Sequence, residues 1–369
     1  MGTAKGIAEL KVGGSYFGGW TSLSVTRSIE QIAGTFNLDM TERWPGSAEL
    51  HKILPGQACQ LYLDGQVVID GYNDDVEPEY DRASHAVRVT GRDKTGDLVD
   101  CSAIHKSGQW HNVKLDVIAR DLIKPFGIGL KVETDVGKAF PSWNIEEGES
   151  VFECLSRAAR MRAVMLVSDA EGNLVIARAG SVQVEDALVE GKNILSASAK
   201  FSWKDRHSSY LIKGQNKGGD DWEGAAVAHP SASIADEVVS RYRPLVVVAE
   251  DHGSSGTLRD RAEWERNVRA GRASRATITV QGWTRVNGEL WQPNTLVHVT
   301  SPMLMVDAPL LIAGCTYRLD ERGTVTQIAV ARREAFELFA GIKGSKLGKK
   351  LFDKEQKERK PKGSDWSML

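Results

Sequence analysis

The chain has 369 residues, of which 41% are hydrophobic and 26% charged, and its net charge is −2. That length exceeds what one ordinary core encloses and predicts roughly two to four domains of a folded, soluble kind. The near balance of charge excludes a global pull toward nucleic acid or anionic membrane, no apolar run approaches the roughly 20 residues that span a bilayer, and Met1–Leu10 lacks the apolar core of a secretory signal.

Residues 1 to about 92 read as β. Ala8, Leu10 and Val12 alternate before Gly13-Gly14, and Trp20, Leu23 and Val25 follow Gly18-Gly19. Glycine pairs and Pro-Gly dipeptides punctuate the strands. From Asp97 to about Gly180 the period changes. Val113, Leu115, Val117-Ile118 and Leu122-Ile123 predict a helix that stops at Lys124-Pro125-Phe126-Gly127, and Gly129 to Thr134 predicts a strand. Ser150 is a fitting N-cap for a second helix carrying Val151, Leu155 and Ala158-Ala159 on one face. Ala163–Ser168 and Leu174–Arg178, joined by Glu171-Gly172-Asn173, predict a hairpin.

Residues 195–214 return to β, Gly218 to about residue 235 reads as an exposed polar loop, and Thr257 to about Arg275 as a charged surface helix. A last β region runs from about 276 to 333, with a short helix starting near Arg333. Residues 341–362 then hold nine Lys or Arg against three acidic residues, a composition that disfavours a packed core. The expectation is a mobile tail in the isolated protein, one that orders on a partner or not at all.

The β regions repeat one pattern. Near the start, Phe36, Leu38 and Met40 precede Leu54-Pro55-Gly56, then Cys59, Leu61 and Leu63, an Asp64-Gly65 turn, the run Val67–Tyr72, and Val87 and Val89 ending at Gly91-Arg92. Near the end, Thr277–Val280 precede Gln292-Pro293-Asn294, then Leu296–Val299, the run Leu310–Cys315, and Gln327–Ala331 ending at Arg332. The matching order predicts two related antiparallel units, a device for building rings that enzymes seldom need.

No catalytic constellation emerges. Cys59, Cys101, Cys154 and Cys315 are far apart and read as buried, reduced thiols. The ten Trp side chains fit contacts between chains or the filling of small cores. Gly253-Ser254-Ser255-Gly256 lacks the nucleophile elbow, and Gly214–Gly219 is no phosphate loop. His105 and His111 have no third ligand at metal spacing. The acidic run Asp70–Glu77 misses the calcium-loop spacing and reads as a solvated hairpin end. Glu146 and Glu149 are a carboxylate pair of the kind a glycosidase uses, but at a helix start they complement the dipole. Arg259, Arg261, Arg266, Arg269, Arg272 and Arg275 are interleaved with Asp260, Glu263 and Glu265, which favours subunit or solvent contact over nucleic acid. The expectation is therefore no catalytic, cofactor-binding or metal-ligating residue, no cofactor, and no enzyme activity.

Several blocks resemble one family. Gly91-Arg92-Asp93-Lys94-Thr95-Gly96-Asp97-Leu98-Val99-Asp100-Cys101-Ser102-Ala103, Pro125-Phe126-Gly127-Ile128, Gly148–Glu153 and Trp291-Gln292-Pro293-Asn294 are similar, in this order, to blocks of the baseplate hub proteins of Mu-like contractile-tailed phages. The central hub of the T-even baseplate and the hub part of VgrG spike proteins share that architecture. The resemblance implies a mostly β, α+β fold: two similar antiparallel β-barrel tube domains with an inserted α+β module, three chains forming a ring. Mapped on this chain it implies a first tube domain at 1–92, an inserted domain at 93–195, a second tube domain at 196–333 interrupted at about 216–275, and a C-terminal helix and basic tail at 334–369. It further implies a structural virion protein made in the host cytoplasm, joining a six-fold tail tube to a three-fold central spike. Its partners would be two further copies of itself, the spike, and tail-tube and other baseplate proteins, with no nucleic-acid sequence and no membrane insertion. A cell-wall or glycan hydrolase and a nucleic-acid-handling accessory protein are the competing readings.

Overall fold

The computed structural model describes residues 6–41, 53–82, 85–180, 182–214, 231–248 and 255–337. The basic segment from 341 onward, expected as a mobile tail, lies outside the described residues. Cores are built chiefly by strands. In chain order the large sheet takes β1 (Ala8–Val12), β2 (Ser15–Phe17), β3 (Ser22–Ser28), β4 (Thr35–Thr41), β5 (Ala58–Leu63), β6 (Gln66–Tyr80) and β7 (His85–Asp93) from the first region. The module that follows holds α1 (Gly96–Asp100), β8 (Gln109–Val113), α2 (Leu115–Ile123), β9 (Leu130–Val132), β10 (Phe140–Asn144), α3 (Val151–Arg162), β11 (Met165–Ser168) and β12 (Leu174–Ala177). The chain then gives β13 (Gln183–Val189) and β14 (Ile194–Phe201) to the large sheet, and β15 (Ser209–Lys213), β16 (Ser231–Ala235), β17 (Pro244–Val248) and α4 (Ser255–Arg272) to a small layer. It returns to the large sheet with β18 (Ser274–Gln281), β19 (Leu296–Ser301), β20 (Val306–Asp320) and β21 (Gly323–Ala331).

The same ladder is built twice. In the first half β6 pairs with β5 and β7, β7 with β4, β4 with β3, and β5 with β1. In the second half β20 pairs with β19 and β21, β21 with β18, β18 with β14, and β19 with β13. Both 15-residue strands carry a bulge at the corresponding place, after Asn73 in β6 and after Ile312 in β20. One pairing differs, because β1 runs antiparallel to β5 whereas β13 runs parallel to β19. The halves are fused: β20 pairs with β3, so the strands form one 13-stranded sheet. Among the described residues no pairing closes either half into a barrel of its own. One apolar core runs through both halves, from Leu10, Val25, Leu38 and Leu61 to Ile278, Val299, Ile312, Tyr317 and Ile328.

The module has a separate core of Leu98, Trp110, Leu115, Ile118, Leu122, Phe140, Trp143 and Leu155. α2 ends as the sequence predicts: a 3-10 turn at Lys124–Phe126 runs into Gly127, whose φ of +65° suits a residue without Cβ. Val113, expected on this helix, instead closes β8, which pairs with β10. α3 opens with a full capping box between Ser150 and Glu153. The other face of the hairpin β11–β12 presents Val167, Val175 and Ala177 to Ile29, Leu311 and Ala313, so the module sits against the seam between the two halves.

The charged helix expected from Thr257 is present as α4, whereas of the stretch expected as an exposed loop residues 231–235 form β16 and 218–230 lie outside the described residues. β16 and β17 flank β15 in a three-stranded sheet, and α4 covers it by burying Leu258 and Ala262 against Ile212. Leu258, Ala262 and Val268, at helical spacing, are buried on α4, and Glu265 is buried with them beside two arginines. Five tryptophans (Trp20, Trp110, Trp143, Trp283 and Trp291) fill cores within the chain. Cys59, Cys154 and Cys315 are buried, and burial pushes each thiol up to about 12, so they stay protonated. Cys101, expected to be buried, is exposed.

Candidate functional site

The residues singled out for possible chemistry do not converge. His105 stacks on Trp110, while His111 stands on β8. Glu149 accepts the backbone N–H of Glu146 and a bond from Arg157 Nη2 at 2.8 Å. Burial alone would raise the Glu149 carboxyl, yet these donors hold it below the usual range, so it is a caught anion rather than a proton donor. The arginines of α4 are largely spoken for: Arg259 by Glu263, and Arg261 and Arg269 by Glu265. Arg275, on β18, pairs with Glu30 at 2.7 Å. Gly253 and Ser254 fall outside the described residues, as do 215–219.

The acidic run Asp70–Glu77 requires a correction. It is no hairpin end but the middle of β6, and its carboxylates face cations: Lys94 Nζ lies 2.8 Å from Asp70, and Arg92 Nε lies 2.6 Å from Asp74. Among the described residues no group of three or more His, Cys, Asp or Glu stands at metal-holding distance.

What does converge is a polar clamp at the seam. The buried Asp93 carboxylate accepts from Gly34 N at 2.6 Å, Thr95 N at 2.9 Å, Thr95 Oγ1 at 2.5 Å and Ser168 Oγ at 2.6 Å. Burial pushes this carboxyl up and the four donors pull it back. Arg27 Nη2 donates to the Ser168 carbonyl, which ties β3 to β11. From the other half, Asn294 accepts the Gly180 N–H at 2.7 Å, donates to the Arg178 carbonyl and, through its own N–H, bonds Ile312 O. Two of the sequence blocks, Gly91–Ala103 and Trp291–Asn294, are thus the places where module and duplicated sheet are locked together.

The second converging feature is the outer boundary of the sheet. The joint β3–β20 buries Gly314, Cys315 and Tyr317 on one strand, and Leu23 and Val25 on the other. In the counterpart strands most of the corresponding positions are open, while Val76 and Ala199 are half-buried. Along β6, Asp75 and Glu77–Tyr80 are exposed, and along β14, Leu195–Ser198 and Lys200 are exposed. Sequence periodicity does not mark these edges, because an edge is a property of which strands lie next to one another.

Comparison with known proteins gives one consistent answer. Residues 7–93 match the family described as Mu phage baseplate assembly protein GpP-like, N-terminal; residues 95–178 match baseplate hub protein gp44-like, second domain; and residues 254–339 match Mu phage baseplate assembly protein GpP, fourth domain. The chain is 37% identical over 336 residues to baseplate hub protein gp44 of Escherichia phage Mu, covering 89% of this chain and 88% of that one. It is similar to the 43 kDa tail protein of prophage MuSo2 from Shewanella oneidensis, at 39% identity and a TM-score of 0.81, over 90% of this chain and all of the other. A tail protein from Neisseria meningitidis MC58 shares the fold at 23% identity and a TM-score of 0.74, over 90% and 98% of the two chains. The chain belongs to the family of Mu-type baseplate hub proteins.

Proposed function

We propose that the protein is the structural hub of a contractile phage tail, three copies forming a ring in which each chain supplies two tube-lining β units. Six similar units present a six-fold surface to a tail tube, while the chain itself repeats only three times and so matches a three-fold central spike. The observation that carries this reading is the doubled ladder, built from the same sequence of pairings in both halves and fused by one strand-to-strand joint. The module on the seam stiffens that joint through the Asp93 and Asn294 clamps. The work is assembly, not bond cleavage: the protein acts as an adaptor in the virion tail, and its partners are its own copies, a spike and tail-tube or other baseplate subunits.

Deletion of the gene from a phage that carries it tests the reading. The expected result is loss of infectious particles, absence of complete baseplates by electron microscopy, and rescue by the chain supplied in trans. Normal tails without this chain would overturn it, as would a cell-wall-degrading activity of the pure protein abolished by a single substitution.

A further inference from the structure

The doubled ladder defines how neighbouring copies join, an inference that rests on the ring reading and adds residue contacts to it. The halves correspond strand by strand through their registers. Counting from the bulges, Cys315, Thr316, Tyr317, Arg318 and Leu319 of β20 occupy the places of Val76, Glu77, Pro78, Glu79 and Tyr80 of β6. Counting through β18 and β4, Arg27, Thr26, Val25, Ser24 and Leu23 of β3 occupy the places of Phe201, Lys200, Ala199, Ser198 and Ala197 of β14. Within the chain the first of these sets pairs with the other: Cys315 with Arg27, Thr316 with Thr26, Tyr317 with Val25, Arg318 with Ser24 and Leu319 with Leu23. Among the described residues, β6 beyond Asn73 pairs only with β7 and β14 pairs only with β18, so each strand has one edge that no described strand covers.

We propose that β6 of one copy pairs antiparallel with β14 of the next, repeating the β20–β3 joint in register. Val76 then faces Phe201, Glu77 faces Lys200, Pro78 faces Ala199, Glu79 faces Ser198 and Tyr80 faces Ala197. The chemistry agrees on both faces. In the existing joint, Tyr317, Val25, Leu319 and Leu23 point into the core. Their counterparts Pro78, Ala199, Tyr80 and Ala197 carry no charge, and Val76, Ala199 and Phe201 already pack against the rim of that core. Tyr80, 78% exposed in the single chain, gains a cover. On the opposite face, Thr26 Oγ1 and Thr316 Oγ1 lie 3.1 Å apart in the existing joint, and their counterparts are a cation and an anion, Lys200 and Glu77. Opposite charges placed directly across two strands attract, and like charges there would repel. Pro78 costs the repeated joint one ladder bond. Ile29 donates its N–H to Ala313, and alternation of the ladder from that bond turns the N–H of Tyr317 toward β3. The corresponding residue on the open edge is Pro78, which has no N–H to give to the Ala199 carbonyl, so the β6–β14 joint holds one bond fewer than the β20–β3 joint, while the same proline blunts unselective pairing of the open edge. Because the two open edges belong to different halves, the contact is head-to-tail and closes only as a ring.

Thr26 and Thr316 form a non-hydrogen-bonded pair, where side chains stand closest across a ladder, so Glu77 and Lys200 mark the best place for a crosslink. In a Cys101→Ser background, E77C, K200C and the double variant are made in the full chain, oxidised mildly, and compared on a denaturing gel with light scattering of the native samples. The double variant is expected to run as three covalently linked chains, each single variant as one chain, and a mixture of the two singles as linked pairs. A three-copy assembly that forms without the crosslink overturns the register while leaving the hub reading intact. A wild-type chain that stays monomeric overturns both. If the cysteines themselves block assembly, charge reversal decides: E77K and K200E each weaken assembly and the double reversal restores it, whereas unchanged assembly in both single reversals overturns the pairing.

Discussion

Asp93 shows how a single side chain holds two bodies together. Its carboxylate binds four donors from three separate segments, the Gly34 turn, Thr95 and the module strand β11. Asp93→Ala leaves these buried donors without an acceptor and is expected to cost about 3 kcal/mol, read as a lowered urea midpoint. Ser168→Ala removes one donor only and is expected to cost about 1 kcal/mol. Two glycines act by close approach. A Cβ on Gly91 would lie 2.2 Å from the Tyr72 carbonyl and 2.5 Å from the Phe36 ring, and one on Gly71 would lie 1.9 Å from the Arg92 carbonyl. Gly91→Ala is therefore expected to destabilise by roughly 3 kcal/mol or more, or to prevent soluble expression. The sequence block containing Gly91, Asp93 and Thr95 marked the family, but its role was not legible in it: the partners Gly34, Phe36 and Ser168 lie far away along the chain.

At the scale of elements, those governed by local rules were legible. Ser150 and Glu153 announce the start of α3, and Ser150→Ala is expected to cost about 1 kcal/mol through loss of the cap, measurable by thermal or urea unfolding. Pro125 and Gly127 announce the end of α2. Elements whose partners are distant were misread. β16 carries Ser and Ala and looked like loop, and Asp70–Glu77 looked solvated because its cations sit across the sheet, Arg92 on the strand beside it and Lys94 just past that strand's end. The small layer of β15–β17 and α4 also makes a prediction about pH. Burial, and then the charges of Arg269 and Arg243, hold His207 below its usual value, with Asp205 opposing weakly. A depressed imidazole binds its proton less readily in the folded chain than in the unfolded one. Stability is therefore lost as pH falls below the ordinary histidine value of about 6.5. A His207→Gln variant is expected to show a flatter stability profile between about pH 5 and 7; an unchanged slope would assign that dependence to other groups.

For the whole molecule, duplication was legible as order and spacing of strands, and the structure carries it into a matching set of ladders. The joint between the halves was not legible. β3 and β20 are separated by most of the chain, and Thr26 and Thr316 carry no mark that they meet. The same reason hides the open edges, which become visible only when the two halves are laid on one another. On the proposed pairing they give the molecule its assembly logic: a chain with one joint made and two complementary edges left over would be a segment of a ring. The most direct measurement is cryo-electron microscopy of the purified full chain, with its mass determined by light scattering on the same sample. A mass of three chains and a closed ring of six similar β units, with β6 beside β14 of the next chain at every second joint, is the expected result. A monomer at high concentration, or a three-chain particle in which both edges face solvent, would contradict it.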